Sequence, residues 1–247
     1  MNILVFVAKT TGLHCLEHAL GNFPEDKYTI IVSEPDLALI SDWLRVRKIP
    51  SIPIAEMKEE KLSERYDWLL NLWGGYVFRE NILKKAEGSL NVHPSLLPLG
   101  KGRDPVVWAM KEGKPAGATL HEISSEVDGG DIFVQAEVPY AFGERGTIVY
   151  ERVVKECVNL FCKSWSDIRS GKIIPTPQMK SAEPTRRRKD LLADRQISVS
   201  SDSETAGFVR TVLAHDYAPG YSAILDLDGK KFEITLDLKP MTGEHHG

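Results

Sequence analysis

Cysteine is scarce in this chain. There are three in 247 residues, Cys15, Cys157 and Cys162, and no Cys-x-x-Cys pair among them. Such a set cannot be fully bridged and fits a reducing cytoplasm; no metal is expected. Cys157 and Cys162 fall in an apolar helical pattern, which points to packing. An excess of positive charge is also missing: 31 Lys and Arg stand against 35 Asp and Glu, a net charge of -4. No global field draws nucleic acid to it. The dense basic run Arg186, Arg187, Arg188, Lys189 reads as a solvated loop or helix start, with a local anion contact as the alternative. No stretch approaches the roughly 20 apolar residues that span a bilayer. The opening "MNILVFVAKTT" lacks the basic region and apolar length of a signal peptide. These absences predict a cytoplasmic globular protein with neither membrane nor nucleic acid as partner.

What is present is a strand–helix rhythm. Ile3 to Ala8 is a continuous apolar run, as in a strand buried on both faces. Gly12 to Leu20 follows as a helix, Tyr28 to Val32 as a strand, and Asp36 to Arg47 as a helix. Trp68 to Leu72 is a third strand, "RENILKKA" a helix, and Ser89 to His93 a fourth strand. The alternation predicts a parallel sheet covered by helices. Residues 116–124 and 131–140 are two strands joined through "SEVDGG", so the sheet becomes mixed there. From Thr147 to Ser170 the spacing of Val154, Val158, Phe161, Trp165 and Ile168 puts one apolar face on a long helix. Beyond it the prolines, the basic run and "SVSSDSE" read as a linker wrapping the domain, with a short helix at 188–194. "ETAGFVRTVLAHD" is helical, and Asp228-Gly229 supplies the turn of a β-hairpin.

Two stretches carry chemistry. In "SLNVHPSLLPLGKGRDP", Asn91 and His93 lie two residues apart on a strand and share a face at its carboxyl end. In open α/β sheets that edge is where ligands bind. An amide donor and an imidazole there could stabilise an oxyanion and move a proton; capping the strand end is the plainer alternative. Pro94, Pro98 and Pro105 stiffen the loop behind them, and Gly100 and Gly102 permit tight turns. In "HEISSEVDGG", Asp128 precedes a Gly-Gly pair, where it could orient an imidazole, accept a proton, or serve as a turn residue. His121 reads as a wall or packing residue before a proton carrier.

Together, "NVHPSLLP" and "AGATLHEISSEVDGGDIFVQ" resemble the folate-dependent formyltransferases over roughly residues 1–170. That family includes glycinamide ribonucleotide transformylase, methionyl-tRNA formyltransferase and the sugar N-formyltransferases. The resemblance implies a Rossmann-like, doubly wound α/β domain with a mixed sheet that uses 10-formyltetrahydrofolate as cosubstrate. It implies catalytic roles for Asn91, His93 and Asp128. It also implies a pterin site at Tyr76, Val77 and Phe78 of "WGGYVFRENIL", closed by Glu126 and Val127. The expected organisation is a catalytic domain at 1–172, a linker at 173–203, and a C-terminal helix and β-hairpin appendage at 204–247.

Three departures narrow the branch. "VAKTTG" lacks the Gly/Ser-rich phosphate loop of the ribonucleotide enzymes. "KGRDPVVW" differs from the Arg-Gly-Ala-Ala-Pro of the methionyl-tRNA enzymes, whose basic barrel domain the tail is too short to form. An N-terminal regulatory domain, as in the formyltetrahydrofolate hydrolases, has no room. What remains resembles enzymes that formylate a nucleotide-linked amino-dideoxysugar, dTDP-linked and carrying the amine at C3 or C4, for cell-surface polysaccharide of the O-antigen kind. Lys101, Arg103 and Trp108 are then candidates for the nucleotide-sugar, and the hairpin for a homodimer contact. The alternatives are a methionyl-tRNA or other small-amine formyltransferase, or a non-catalytic regulator that binds folate or nucleotide-sugar.

Overall fold

The structure is a computed structural model; it describes residues 1–34, 36–63, 65–198, 205–227 and 229–238. Its centre is a seven-stranded sheet in the order β3-β2-β1-β4-β5-β6-β7. The strands are β1 (Asn2–Val7), β2 (Lys27–Val32), β3 (Ile52–Pro53), β4 (Tyr66–Leu72), β5 (Ala86–His93), β6 (Ala116–His121) and β7 (Ile132–Val138). The first five pair in parallel, and β6 and β7 are antiparallel to their neighbours, so the sheet is mixed where the sequence places the change. Residues 3–7 of β1 are fully buried, as its unbroken apolar run requires. The short β3 escapes sequence reading because two residues, one of them proline, carry no periodicity.

Helices α1 (Lys9–Asn22), α2 (Leu37–Val46), α3 (Glu80–Leu83), α4 (Pro105–Glu112) and α5 (Gly146–Arg169) cover the sheet. The segment "RENILKKA" makes only one helical turn, since the chain bends into β5 at Ala86. Val153, Cys157, Phe161, Trp165 and Ile168 form the buried stripe of α5, and burial pushes the Cys157 thiol's pKa far up, so that cysteine packs rather than reacts. Trp165 meets Trp68 of β4 edge-on, with ring centroids 5.1 Å apart.

The segment after α5 makes defined contacts with the main sheet. Thr176 pairs with Ile132, and Arg186 bridges Gly102. Helix α6 (Arg188–Asp194) starts where the basic run ends, and β8 (Gln196–Ser198) follows. Helix α7 (Thr205–His215) packs on α4 and α5. The hairpin of β9 (Ala223–Leu227) and β10 (Lys230–Ile234) is antiparallel, and Gly229 takes φ 78° in its turn; Asp228 lies outside the described residues. The hairpin is not two-stranded, because β8 pairs in parallel with β9 and supplies a third strand.

Candidate active site

The site grows from strand register. Asn71 of β4 lies opposite Asn91 of β5, and Asn91 lies opposite His121 of β6. All three are buried at the edge formed by the carboxyl ends of β4 and β5. They form a hydrogen-bonded row with a single direction. Asn71 Nδ2 donates to Asn91 Oδ1 at 2.8 Å, and Asn91 Nδ2 meets His121 Nε2 at 2.9 Å. His121 Nδ1 lies 2.6 Å from the Glu122 carbonyl. A carbonyl only accepts, so Nδ1 carries the proton and Nε2 is the bare acceptor that Asn91 needs. Burial supports this neutral form by pushing the His121 pKa down to about 4 against the opposing pull of Asp128.

Asp128 sits at the focus. Its Oδ1 is 3.4 Å from Asn91 Nδ2, 3.6 Å from His93 Nδ1 and 3.7 Å from His121 Nε2. Its Oδ2 accepts the backbone N–H of Gly102 at 2.8 Å. The residue takes φ 50°, a conformation in which Asp is better tolerated than most side chains. Gln178 holds it there, donating from Nε2 to the carbonyls of Asp128 at 3.1 Å and Gly130 at 2.9 Å. His93 lies one alternation beyond Asn91 and donates from Nε2 to the Gly100 carbonyl at 3.0 Å.

The loop behind His93 owes its stiffness to hydrogen bonds as well as to its prolines. Thr119 Oγ1 donates to the Ser95 carbonyl at 2.6 Å and accepts the Leu97 N–H at 3.2 Å, and Gln135 Nε2 donates to the Leu97 carbonyl at 2.7 Å. Gly102 has φ 92°, and a Cβ there would strike the Arg186 backbone, so the bridge to 186 requires glycine.

Two hollows meet at this cluster. A small crevice of about 70 Å³ lies between Tyr76, Val77 and Phe78 on one side and residues 123–128 on the other, with Asn91 and Asp128 at its floor. Val77 is 69% exposed and Val127 42% exposed, so the crevice opens to solvent past apolar side chains, beside Ser125 and Glu126. Phe78 is buried, with its ring edge against Phe6 at 4.8 Å, while Tyr76 stacks on the same ring. A larger cleft of about 650 Å³ runs from Asn91, His93 and Asp128 to Lys9, Arg103, Arg187, Arg188, Tyr150 and Tyr217.

The structure distributes the remaining sequence candidates unevenly. Arg103 lines the larger cleft. Lys101 instead makes an ion pair with Glu126 at 2.8 Å and ties the two loops together. Trp108 is only 5% exposed on α4, under the Arg186 guanidinium at 4.1 Å, and so does not wall the cleft. The basic run does: Arg186, Arg187 and Arg188 all line it, although α6 starts there as a solvated helix start would. Sequence reading overlooked Asn71. Its signal was one polar residue inside the apolar run "WLLNLW".

The carboxyl edge of the sheet thus presents buried Asn91 and His93 and half-buried Asp128 between a small crevice and a cationic cleft. Residues 74–164 match the family model described as Formyl transferase. The methionyl-tRNA formyltransferase of Lactobacillus delbrueckii subsp. bulgaricus is 30% identical over 132 residues, which is 51% of this chain and 42% of that protein, so this chain's match spans less than half of that relative. The dTDP-4-amino-4,6-dideoxyglucose formyltransferase of Mycobacterium bovis is 24% identical over 79% of this chain and 84% of its own length. Among solved structures, a 4-N formyltransferase from Francisella tularensis superposes with a TM-score of 0.84 at 22% identity, covering 97% of this chain and 98% of that one. An N-formyltransferase from Helicobacter canadensis, in complex with folinic acid and dTDP-3-aminofucose, superposes with a TM-score of 0.77 at 18% identity, covering 94% and 86%. These superpositions establish a shared fold.

Proposed function

We propose that this protein transfers a formyl group from 10-formyltetrahydrofolate to the amine of a nucleotide-linked amino-dideoxysugar, dTDP-linked and carrying the amine at C3 or C4. The observation that carries the reading is the meeting of the two hollows at Asp128: a crevice walled by Tyr76, Val77, Phe78 and Val127 on one side, a cation-lined cleft on the other. Two relatives support the nucleotide choice: the Mycobacterium bovis protein is named for a dTDP-linked amino-dideoxyglucose, and the Helicobacter canadensis structure holds dTDP-3-aminofucose.

The cosubstrate supplies a formyl carbon for an amine to attack, and Tyr76, Val77 and Val127 would hold its pterin. This chain's residues do the rest. The Asn91 N–H now directed at Asp128 across 3.4 Å is the weaker of its two bonds and can turn to an oxygen that gains negative charge. One such donor contributes about 3–4 kcal/mol. His93 stands beside it as the second polar group. Asp128 Oδ1 accepts the proton the amine must lose, directly or through a water, while Gly102 N–H fixes Oδ2; the proton goes on to the tetrahydrofolate nitrogen as its bond to the formyl carbon breaks. Arg103, Arg187 and Arg188 pair with the diphosphate, and Tyr150 and Tyr217, edge-on at 4.9 Å, flank the base.

The test is formyl transfer by mass spectrometry, with dTDP-aminosugars, UDP-aminosugars, glycinamide ribonucleotide and methionyl-tRNA offered in parallel. Turnover with dTDP-aminosugars is expected; turnover only with either of the last two overturns the reading. We infer in addition a homodimer through the C-terminal sheet, because β10 is an edge strand with Phe232 48% exposed, and Leu238 just beyond it is 44% exposed. Phe232→Glu should convert a dimer to a monomer by light scattering. A monomeric wild type would refute it.

A further inference from the structure

We infer that Asn71 is a positioning residue that sets which way the Asn91 amide faces. The inference rests on the proposed reaction for its consequence, but on geometry for its substance. An amide can be turned end for end at little steric cost, so only its partners decide where the N–H groups point. At Asn91 both partners choose the same answer. Asn71 Nδ2 donates to Asn91 Oδ1, and the bare His121 Nε2 accepts from Asn91 Nδ2. The second Asn91 N–H is thereby left pointing at Asp128, the place where a ligand oxygen can take it.

Asn71 is itself built in. It is 5% exposed, and its Nδ2 also donates to the Gly74 carbonyl at 3.1 Å. A Cβ at position 74 would collide with Asn71 Oδ1, so Gly74 permits the arrangement. Trp73, at φ 66°, turns the chain back over the amide. No other part of the described site needs the turn to run so close to β4. Asn71 Oδ1 has no hydrogen-bond partner among the described residues, so the contacts that hold this side chain are those of its nitrogen. The titratable groups facing this row are His121 on β6, His93 on β5 and Asp128 in the β6–β7 loop.

Two variants separate positioning from structure. Asn71→Leu removes the donor at every pH. Asn71→Asp keeps the shape but, when ionised, sets an acceptor against Asn91 Oδ1; when protonated, its O–H restores the donor. Both should lower kcat by about 10- to 100-fold at neutral pH, as small misplacements of a reacting group do. The KM values and the affinity for a folate analogue should change less than kcat, since Asn71 is only 5% exposed and offers the ligands little surface. The ratio of the Asp variant to wild type should climb as pH falls, while the Leu ratio stays flat. The side-chain amide of Asn91 is the readout that needs no turnover: its 15N–1H signals, identified by their loss in Asn91→Ser, should move in Asn71→Leu. Unmoved signals overturn the inference, whatever happens to kcat, and so does a flat Asp ratio. If wild type formylates none of the amines offered, the parent reaction fails, and the amide signals still decide the positioning.

Discussion

At one end of the cleft Asn71, Asn91 and His121 come from three adjacent strands and meet because the strands pair in register. At the other end Lys9, Arg103, Tyr150, Arg187 and Tyr217 come from five separate parts of the chain and meet because loops and helices fold over one another. The first group is buried, neutral or internally hydrogen-bonded, and rigid. In the second, Arg103, Arg187 and Arg188 are exposed. Charge in water is weak and screened, whereas a dipole fixed in a dry pocket acts at full strength. The difference fits a division of labour in which the sheet edge places atoms and the outer cleft collects an anionic substrate.

The sharpest way to break this division is at the inner end. Asn91→Ala, His93→Ala or Asp128→Ala should each lower kcat about 100-fold or more while the protein stays folded. Near-normal turnover in His93→Ala would remove the assignment. At the outer end, Arg103→Glu with Arg187→Glu should raise KM for the nucleotide-sugar about 10- to 100-fold, leave kcat within a few-fold, and abolish most of the salt dependence of KM. Lys101→Met should leave that KM nearly unchanged, because its ammonium is spent on Glu126. Equal effects of the two changes would mean that the cation end is drawn wrongly.

His121 ties the inner end to stability. Its pKa in the fold is about 4, below the ordinary value of 6.5. Between those values the unfolded chain takes up a proton that the folded one refuses, so stability is complete above pH 6.5 and is lost as pH falls toward 4. The loss is about 3 kcal/mol at most. Chemical denaturation at stepwise pH should show a shallower decline in His121→Gln; parallel curves would mean His121 is not held neutral. The smallest effect concerns the crevice. A folate analogue at about 100 times its Kd should stabilise wild type by about 2.7 kcal/mol. Val77→Asp, at an exposed position, should erase the Tm shift without itself unfolding the protein. An undiminished shift would place the pterin elsewhere.

How far the sequence carried the reading follows from the same contrast. Asn91 and His93 were readable because a strand's alternation fixes both on one face, and β5 does end at His93. The antiparallel β6–β7 pair was readable because "SEVDGG" is too short for a crossover helix, whereas the turnabout between β5 and β6, across α4, was not. Asn71 was hidden since nothing local says which strand β4 pairs with, and the points at which the wrapping linker is held, Thr176 to Ile132 and Arg186 to Gly102, were hidden because they are contacts with residues far away in the chain. Trp108 was a nucleotide-sugar candidate by its place after "KGRDPVV", and the helix that Pro105 starts carries its indole into the core.

The sequence by itself determined the alternation of strands and helices, the edge at which Asn91 and His93 stand, and the turn that holds Asp128. Those are consequences of short-range periodicity and backbone preference, which act over a few residues. Only the tertiary structure decided that Asp128 lies between Asn91 and His93, that Arg187 and Arg188 face the same cleft as Arg103, and that Lys101 does not. Hydrogen bonds and ion pairs act over a few ångströms, and which residues come that close depends on strand order and on the path of the chain after α5.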